Sequence, residues 1–244
     1  MKCNFFAFLS LGLLGVAGFN LSLFIGLKTT TPINGALIMA TTPITTALLS
    51  SLLDKEKLSI NQPIGIVFSF VGVVFVISKG SIDNLANLHF SLGDCIILCG
   101  SLFGASYTVG CRKYITHSSP LQTTSFTMLF VTIGIVLAAL LTGNLVDSIT
   151  SAPVSVHMAS IYMGVVGSVL DYLFWNVGLK KVGPANTSIF FNLVPVFTMV
   201  ITAFNGVLPN EIQIIGTVSV IVGVILSTGG YKLILNQFKP LQTE

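Results

Sequence analysis

Eight long apolar runs, separated by short polar breaks, set the pattern of the chain: residues 5–25, 33–53, 62–78, 93–111, 121–142, 157–178, 185–205 and 211–231. Each approaches the length of about 20 apolar residues that a helix needs to cross a bilayer core. The breaks collect lysine, threonine, proline and glycine, as in Lys28 to Pro32, Asp54 to Pro63, Arg112 to Pro120 and Lys180 to Pro184. No soluble domain or long linker fits between the runs. The pattern predicts an all-α polytopic membrane protein with eight transmembrane helices. The first run also admits a signal-peptide reading. Its length, the absence of an Ala-x-Ala site and its alignment with a run in mid-chain argue against that.

The runs are not independent of one another. Residues 26–46, GLKTTTPINGALIMATTPITT, align without a gap with residues 178–198, GLKKVGPANTSIFFNLVPVFT, at an offset of 152 positions. Gly26/Gly178, Lys28/Lys180, Pro32/Pro184, Asn34/Asn186 and Pro43/Pro195 coincide. The match reaches back to Gly15/Gly167. After a slip of one residue it reaches forward to Gly65/Gly216 and Gly72/Gly223. Two prolines, a glycine and an asparagine in one register argue for a duplicated unit of about 65 residues.

Lysine and arginine orient the runs. With the N-terminus in the cytoplasm, Lys2, Lys55, Lys57, Arg112, Lys113, Lys180, Lys181, Lys232 and Lys239 face inward, and only Lys28 and Lys79 face outward. Both termini are then cytoplasmic, and the two copies of the repeat run in opposite directions. That predicts an inverted-repeat transporter fold. Residues 1–80 form a partial first repeat of three spans, residues 93–235 a second repeat of five, and residues 236–244 a cytoplasmic tail. By the repeat alone, partners for the fourth and fifth runs would precede residue 1.

Composition agrees with the membrane reading and removes other classes. Of 244 residues, 53% are hydrophobic and 8% charged, with mean hydropathy +0.93. A soluble domain carries about 25% charge. The net charge of +3 is scattered, with no basic cluster for nucleic acid. No phosphate-binding loop, H-E-x-x-H or Gly-x-Ser-x-Gly occurs, so no enzyme is expected. His89, His117 and His157 are dispersed. Cys95 and Cys99 lie one turn apart in an apolar run without further ligands. Neither metal nor cofactor is expected.

The stretch GDCIILCGSLFGASYTVGCRK, Gly93 to Lys113, resembles the opening of the second repeat in EamA-type permeases of the drug/metabolite transporter superfamily. Gly93-Asp94, Phe103, Ala105, Tyr107 and Arg112 carry that likeness. Pro43, Leu48, Glu56-Lys57, Gly65 and Gly72 fit a second motif, with Pro195, Gly216 and Gly223 repeating part of it. The resemblance implies two inverted five-helix repeats and transport of small metabolites, with export favoured. It also implies that the first two helices of the family are lacking here, and an acid mirroring Glu56 is lacking in the second repeat. The expected partners are the lipid bilayer of the plasma (inner) membrane and a small-molecule metabolite. A homodimer or another partner that completes the cavity, or a non-transporting truncated protein, is the alternative.

Candidate chemistry is sparse. Asp171 is the acid placed well inside a span. Such a group costs roughly 2.5–3.5 kcal/mol on insertion scales and marks a pathway, a proton relay or a structural bond to a neighbouring helix. At α-helical spacing Gly164, Gly167, Ser168, Asp171, Trp175 and Gly178 share one face. Trp175 and Tyr172 are either interfacial aromatics or stack on cargo, and Tyr107 either packs or contacts cargo. Asn20, Thr41, Thr45 and Asn192 are deep polar residues that serve either cargo or helix association. Pro43 and Pro195 in mid-span predict kinks, with gating as one use. Asn34 and Asn186, two residues after Pro32 and Pro184, are expected to cap helix starts. The small-residue stripes Gly65, Ser69, Gly72 and Gly216, Ser219, Gly223, Ser227 are expected to be packing seams.

Overall fold

The computed structural model describes residues 5–54, 59–81, 91–141, 145–206 and 208–229. Lys2, Lys55, Glu56, Lys57, His89, Lys232, Lys239 and the tail at 236–244 lie outside the described residues. Among the described residues eight helices are long and apolar enough to cross a membrane: α1 Phe5–Gly26, α2 Asn34–Leu53, α3 Asn61–Ser78, α4 Leu92–Tyr114, α5 Pro120–Leu141, α6 Val154–Val182, α7 Pro184–Phe204 and α8 Glu211–Thr228. A short helix, Leu145–Thr150, precedes α6. No strand occurs among the described residues. The protein is a multi-pass integral membrane protein, and its many exposed large apolar side chains, such as Phe6, Leu141 and Phe204, suit a lipid surround.

The helices gather around two cores. Ile66, Val73, Ala185, Ile189, Val220 and Val224 pack together from α3, α7 and α8, with Ala40 and Ala47 from α2. Phe8, Val16, Tyr107, Cys111, Val131 and Leu179 join α1, α4, α5 and α6. Lipid tails are as apolar as these side chains, so close van der Waals contact holds the helices rather than water exclusion. The tightest seam is α3 on α8. A Cβ on Gly65 would stand 2.5 Å from the Gly223 carbonyl oxygen, and one on Gly72 would stand 2.6 Å from that of Gly216. The lower-numbered glycine of one helix meets the higher-numbered glycine of the other, so the two helices are antiparallel. Asn210 Nδ2 donates to Lys79 O at 2.8 Å and Gln213 Nε2 to Val76 O at 3.3 Å at the end of the same seam.

Backbone irregularities recur at one spacing. Leu11–Ala17 of α1 and Met163–Leu170 of α6 are π-helical, and their first residues are 152 positions apart. The helix of α2 breaks at Ala40–Thr41, between Met39 and Thr42. In α7 a 3-10 segment at Ile189–Leu193 precedes the turn that restarts at Val194. Each break lies just before its proline, Pro43 or Pro195, where the ring removes a backbone donor. Pro43 is fully buried, whereas Pro195 is partly exposed.

The asparagines expected as caps do other work. Thr31 caps α2, accepting from the Asn34 amide at 3.2 Å. With Pro32 at the first helical position, the cap must precede it, and Asn34 falls inside the first turn. Its Nδ2 instead donates to Asp94 at 3.2 Å. Asn186 likewise sits inside its turn after Gly183, which has no side-chain cap. Asn186 accepts from Gln62 Nε2 at 3.2 Å, tying α7 to α3.

The flank of α6 is bare where that of α1 is covered. Gly12 of α1 lies against Thr127 of α5, and Gly15 against Tyr107 of α4. The positions 152 residues on, Gly164 and Gly167, have nothing within 4 Å, and residues 154–167 are all exposed.

Candidate functional site

A cavity of about 1260 Å³ opens between the two cores, walled by α1, α2, α4, α6 and α7 and by the ends of α3 and α8. Most of its wall is apolar or aromatic. Its polar groups are few, as in a site that orients a small molecule.

The acid lies on α6. Asp171 follows directly on the π-helical segment and stands near the middle of this 29-residue helix. It lines the cavity and is exposed to it. Among the described residues its carboxylate makes no hydrogen bond or ion pair. One turn on, Trp175 lines the same wall and donates from Nε1 to Thr108 Oγ1 on α4 at 3.3 Å. Its ring lies 4.8 Å from that of Phe191, which lies 6.3 Å from Phe19. Three helices thus contribute one aromatic wall beside the carboxylate.

Behind this wall runs a polar network. Asn20 Nδ2 donates to Val16 O at 2.9 Å and to the Tyr172 hydroxyl at 3.3 Å. These two residues occupy equivalent positions of the repeat, 152 apart, and touch each other. The rings of Tyr172 and Tyr107 meet edge to face at 5.6 Å. Asn176 Nδ2 donates to the Tyr107 hydroxyl at 2.9 Å and to Thr124 Oγ1 at 3.0 Å. Buried side-chain polar atoms need such partners, since each left unpaired at this depth costs on the order of 1–3 kcal/mol. The network joins α1, α4, α5 and α6 and fixes the rotation of α6 that turns Asp171 to the cavity.

The structure gathers Asn20, Tyr107, Asp171, Trp175 and Pro195 at the cavity and leaves Thr41, Thr45 and Asn192 off its wall. Thr41 donates to Ile38 O at 2.6 Å and Thr45 to Thr42 O at 2.9 Å, so both hydroxyls return to the broken backbone of α2. Asn192 is fully buried and donates to Ser69 Oγ at 2.9 Å, joining α7 to α3. The predicted glycine face of α6 also changes. Gly167, Asp171, Trp175 and Gly178 reach the cavity, but Gly164 and Ser168 do not. Bonding from i to i+5 widens the turn through this stretch and rotates them away. Thr198 and Thr202 of α7, which sequence reasoning passed over, lie on the wall. Their four-residue spacing, continuing the register of Val194, was the available signal.

Asp94 belongs elsewhere. It is buried at the start of α4 and forms a capping box with Ser91, whose amide it accepts at 2.6 Å. It also accepts from Thr30 Oγ1 and from Asn34. It therefore holds the α1–α2 turn against α4. At the opposite end of α4, Arg112 donates to Leu179 O and Lys180 O at 3.3 and 3.2 Å, and Lys113 to Leu53 O at 2.5 Å. These cations satisfy the open carbonyl ends of α6 and α2. Among the described residues no group of three or more His, Cys, Asp or Glu gathers as metal ligands.

Comparison with known proteins gives one answer. The profile of the EamA-like transporter family matches residues 2–78 and 91–229. An uncharacterized transporter of Bacillus subtilis (strain 168), YyaM, is 41% identical over 233 residues, which are 96% of this chain and 76% of that protein. A protein of Streptantibioticus cattleyicolor described as a probable terminal-alkyne amino-acid exporter is 19% identical over 192 residues, 78% of this chain and 62% of its own. A solved crystal structure superposes with a TM-score of 0.72 over 93% of this chain and 77% of its own, at 18% identity, and supports the fold alone.

Proposed function

The chain belongs to the EamA-like transporter family, and from that premise we propose that it is a secondary transporter that exports small polar or amphipathic metabolites by alternating access. The observation that carries this reading is the cavity itself. It is walled by helices of both halves of the chain, and a carboxylate and aromatic rings face it. The relative described as an amino-acid exporter favours export as the direction.

The halves form an inverted repeat. Gly65 and Gly72 of α3 correspond in the repeat to Gly216 and Gly223 of α8, and the contacts pair Gly65 with Gly223 and Gly72 with Gly216. Each position meets the counterpart of the other, which supports a two-fold axis between the halves. For two antiparallel membrane helices that axis lies in the membrane plane. The matching π-helical segments of α1 and α6, and the contact of Asn20 with its counterpart Tyr172, fit the same axis. Rocking of the repeats about it opens the cavity to alternate sides. Pro43 and Pro195 act as the bending points, the exposed one on the cavity wall. Both termini face the cytoplasm of a cell whose plasma membrane holds the protein.

Proteoliposomes loaded with a cell metabolite extract test this. The protein is expected to release specific small molecules faster than empty liposomes do, and uniform retention of every compound sinks the reading. The bare flank of α6 favours a second reading, a subunit whose cavity is closed by further helices, as in a homodimer. Gly164→Cys, cross-linked in native membranes, is then expected to capture a helix of defined identity, and reaction with lipid-soluble reagents alone counts against it.

A further inference from the structure

We propose that the cavity takes an amphipathic organic cation, its ammonium group on Asp171 and its apolar body against Trp175, Phe191 and Phe19. This rests on the reading of the cavity as the cargo site. Three observations point the same way. Asp171 is the one acid among the described cavity-lining residues, and no protein group there pairs with it. A carboxylate held at this depth without a partner is costly, so a ligand that brings the opposite charge recovers what the fold leaves open. Among the described residues the one lysine or arginine on the wall is Lys79, at the end of α3 beside Asn210, and not at the level of Asp171. An anionic cargo would meet like charge at mid-cavity with nothing to offset it.

The aromatic wall makes the second contact. Trp175 stands one helical turn from Asp171, and its ring is in contact range of Phe191 at 4.8 Å. Phe19 extends the surface from α1. Ring faces attract an alkylammonium group as well as apolar carbon, and tryptophan does so best. The wall is mainly apolar, so the attraction between Asp171 and a cation is stronger than in bulk water. In the repeat, Phe19 corresponds to Asp171 and Leu23 to Trp175. The charge is thus confined to one half of a symmetric frame and gives the cargo a single orientation.

Trp175 is the only tryptophan of the chain, so its fluorescence reports on this wall without labelling. The experiment titrates the protein in lipid nanodiscs with phenethylammonium, with 3-phenylpropanamide as the neutral analogue and with 3-phenylpropanoate as the anionic one. Saturable change with the cation is expected, with the other two at least about ten-fold weaker. Asp171→Asn is expected to weaken the cation about ten-fold or more and to leave the amide unchanged, while Asp171→Glu keeps the order of preference. Equal affinities, preference for the anion, no binding of the cation, or an unaffected Asp171→Asn variant overturns the proposal. Flux in proteoliposomes is read separately. Cation binding without flux of any compound refutes transport but not the site, and flux of neutral or anionic compounds alone refutes the site but not transport.

Discussion

At the scale of single residues, the most informative side chain outside the cavity is Asp94. It collects hydrogen bonds from Ser91, Thr30 and Asn34 and so joins three segments. Asp94→Ala removes the acceptor shared by three donors, the buried Asn34 among them, for an expected loss of about 3 kcal/mol, and Asp94→Asn loses about half of that. Chemical unfolding in detergent micelles measures both, and unchanged midpoints would show the cluster to be idle. The sequence made Asp94 visible as part of a Gly-Asp pair but not its partners. Which residues meet across helices depends on the rotation of each helix, and a nearly all-apolar run does not encode rotation. The same limit explains Asn192, legible as a deep polar residue but not as the mate of Ser69. Asp171 was legible because a carboxylate in an apolar run stands out whatever the rotation.

At the scale of elements, residues that act through the backbone were the readable ones. Proline and glycine constrain the chain locally, so the breaks before Pro43 and Pro195 and the seams of α3 and α8 could be read from position alone. The π-helical segments could not, because a uniformly apolar stretch reads alike at either winding. The seam gives a sharp prediction. Gly65→Ala or Gly72→Ala places a methyl 2.5–2.6 Å from a carbonyl oxygen of the facing backbone. Backbone cannot swing aside as a side chain does, so each is expected to cost about 1–3 kcal/mol. Gly164→Ala meets nothing within 4 Å and is expected to be neutral, or to stabilise by up to about 1 kcal/mol through helix propensity. Thermal unfolding of the three variants under one condition compares them. A Gly164 variant as damaged as the seam variants would mean that the flank of α6 is occupied in the membrane.

At the scale of the whole molecule, the proposed inverted arrangement makes a demand that no local contact can meet. Equivalent positions of an inverted repeat must lie on opposite sides of the membrane, whereas those of a parallel repeat lie on the same side. Thr29 and Lys181 are such a pair, 152 positions apart, and both are exposed at helix ends. In a protein whose four native cysteines are replaced, Thr29→Cys is expected to react with a membrane-impermeant maleimide in intact cells. Lys181→Cys is expected to react only after permeabilisation. The charge distribution predicts the sense of this result, and the antiparallel contact of α3 with α8 predicts that the two differ. The two arguments are independent, so the outcomes separate them. Labelling of Lys181→Cys alone would reverse the orientation and keep the inverted repeat. Labelling of both from outside would overturn the inverted repeat, and with it the proposed rocking motion by which one cavity would face both sides in turn.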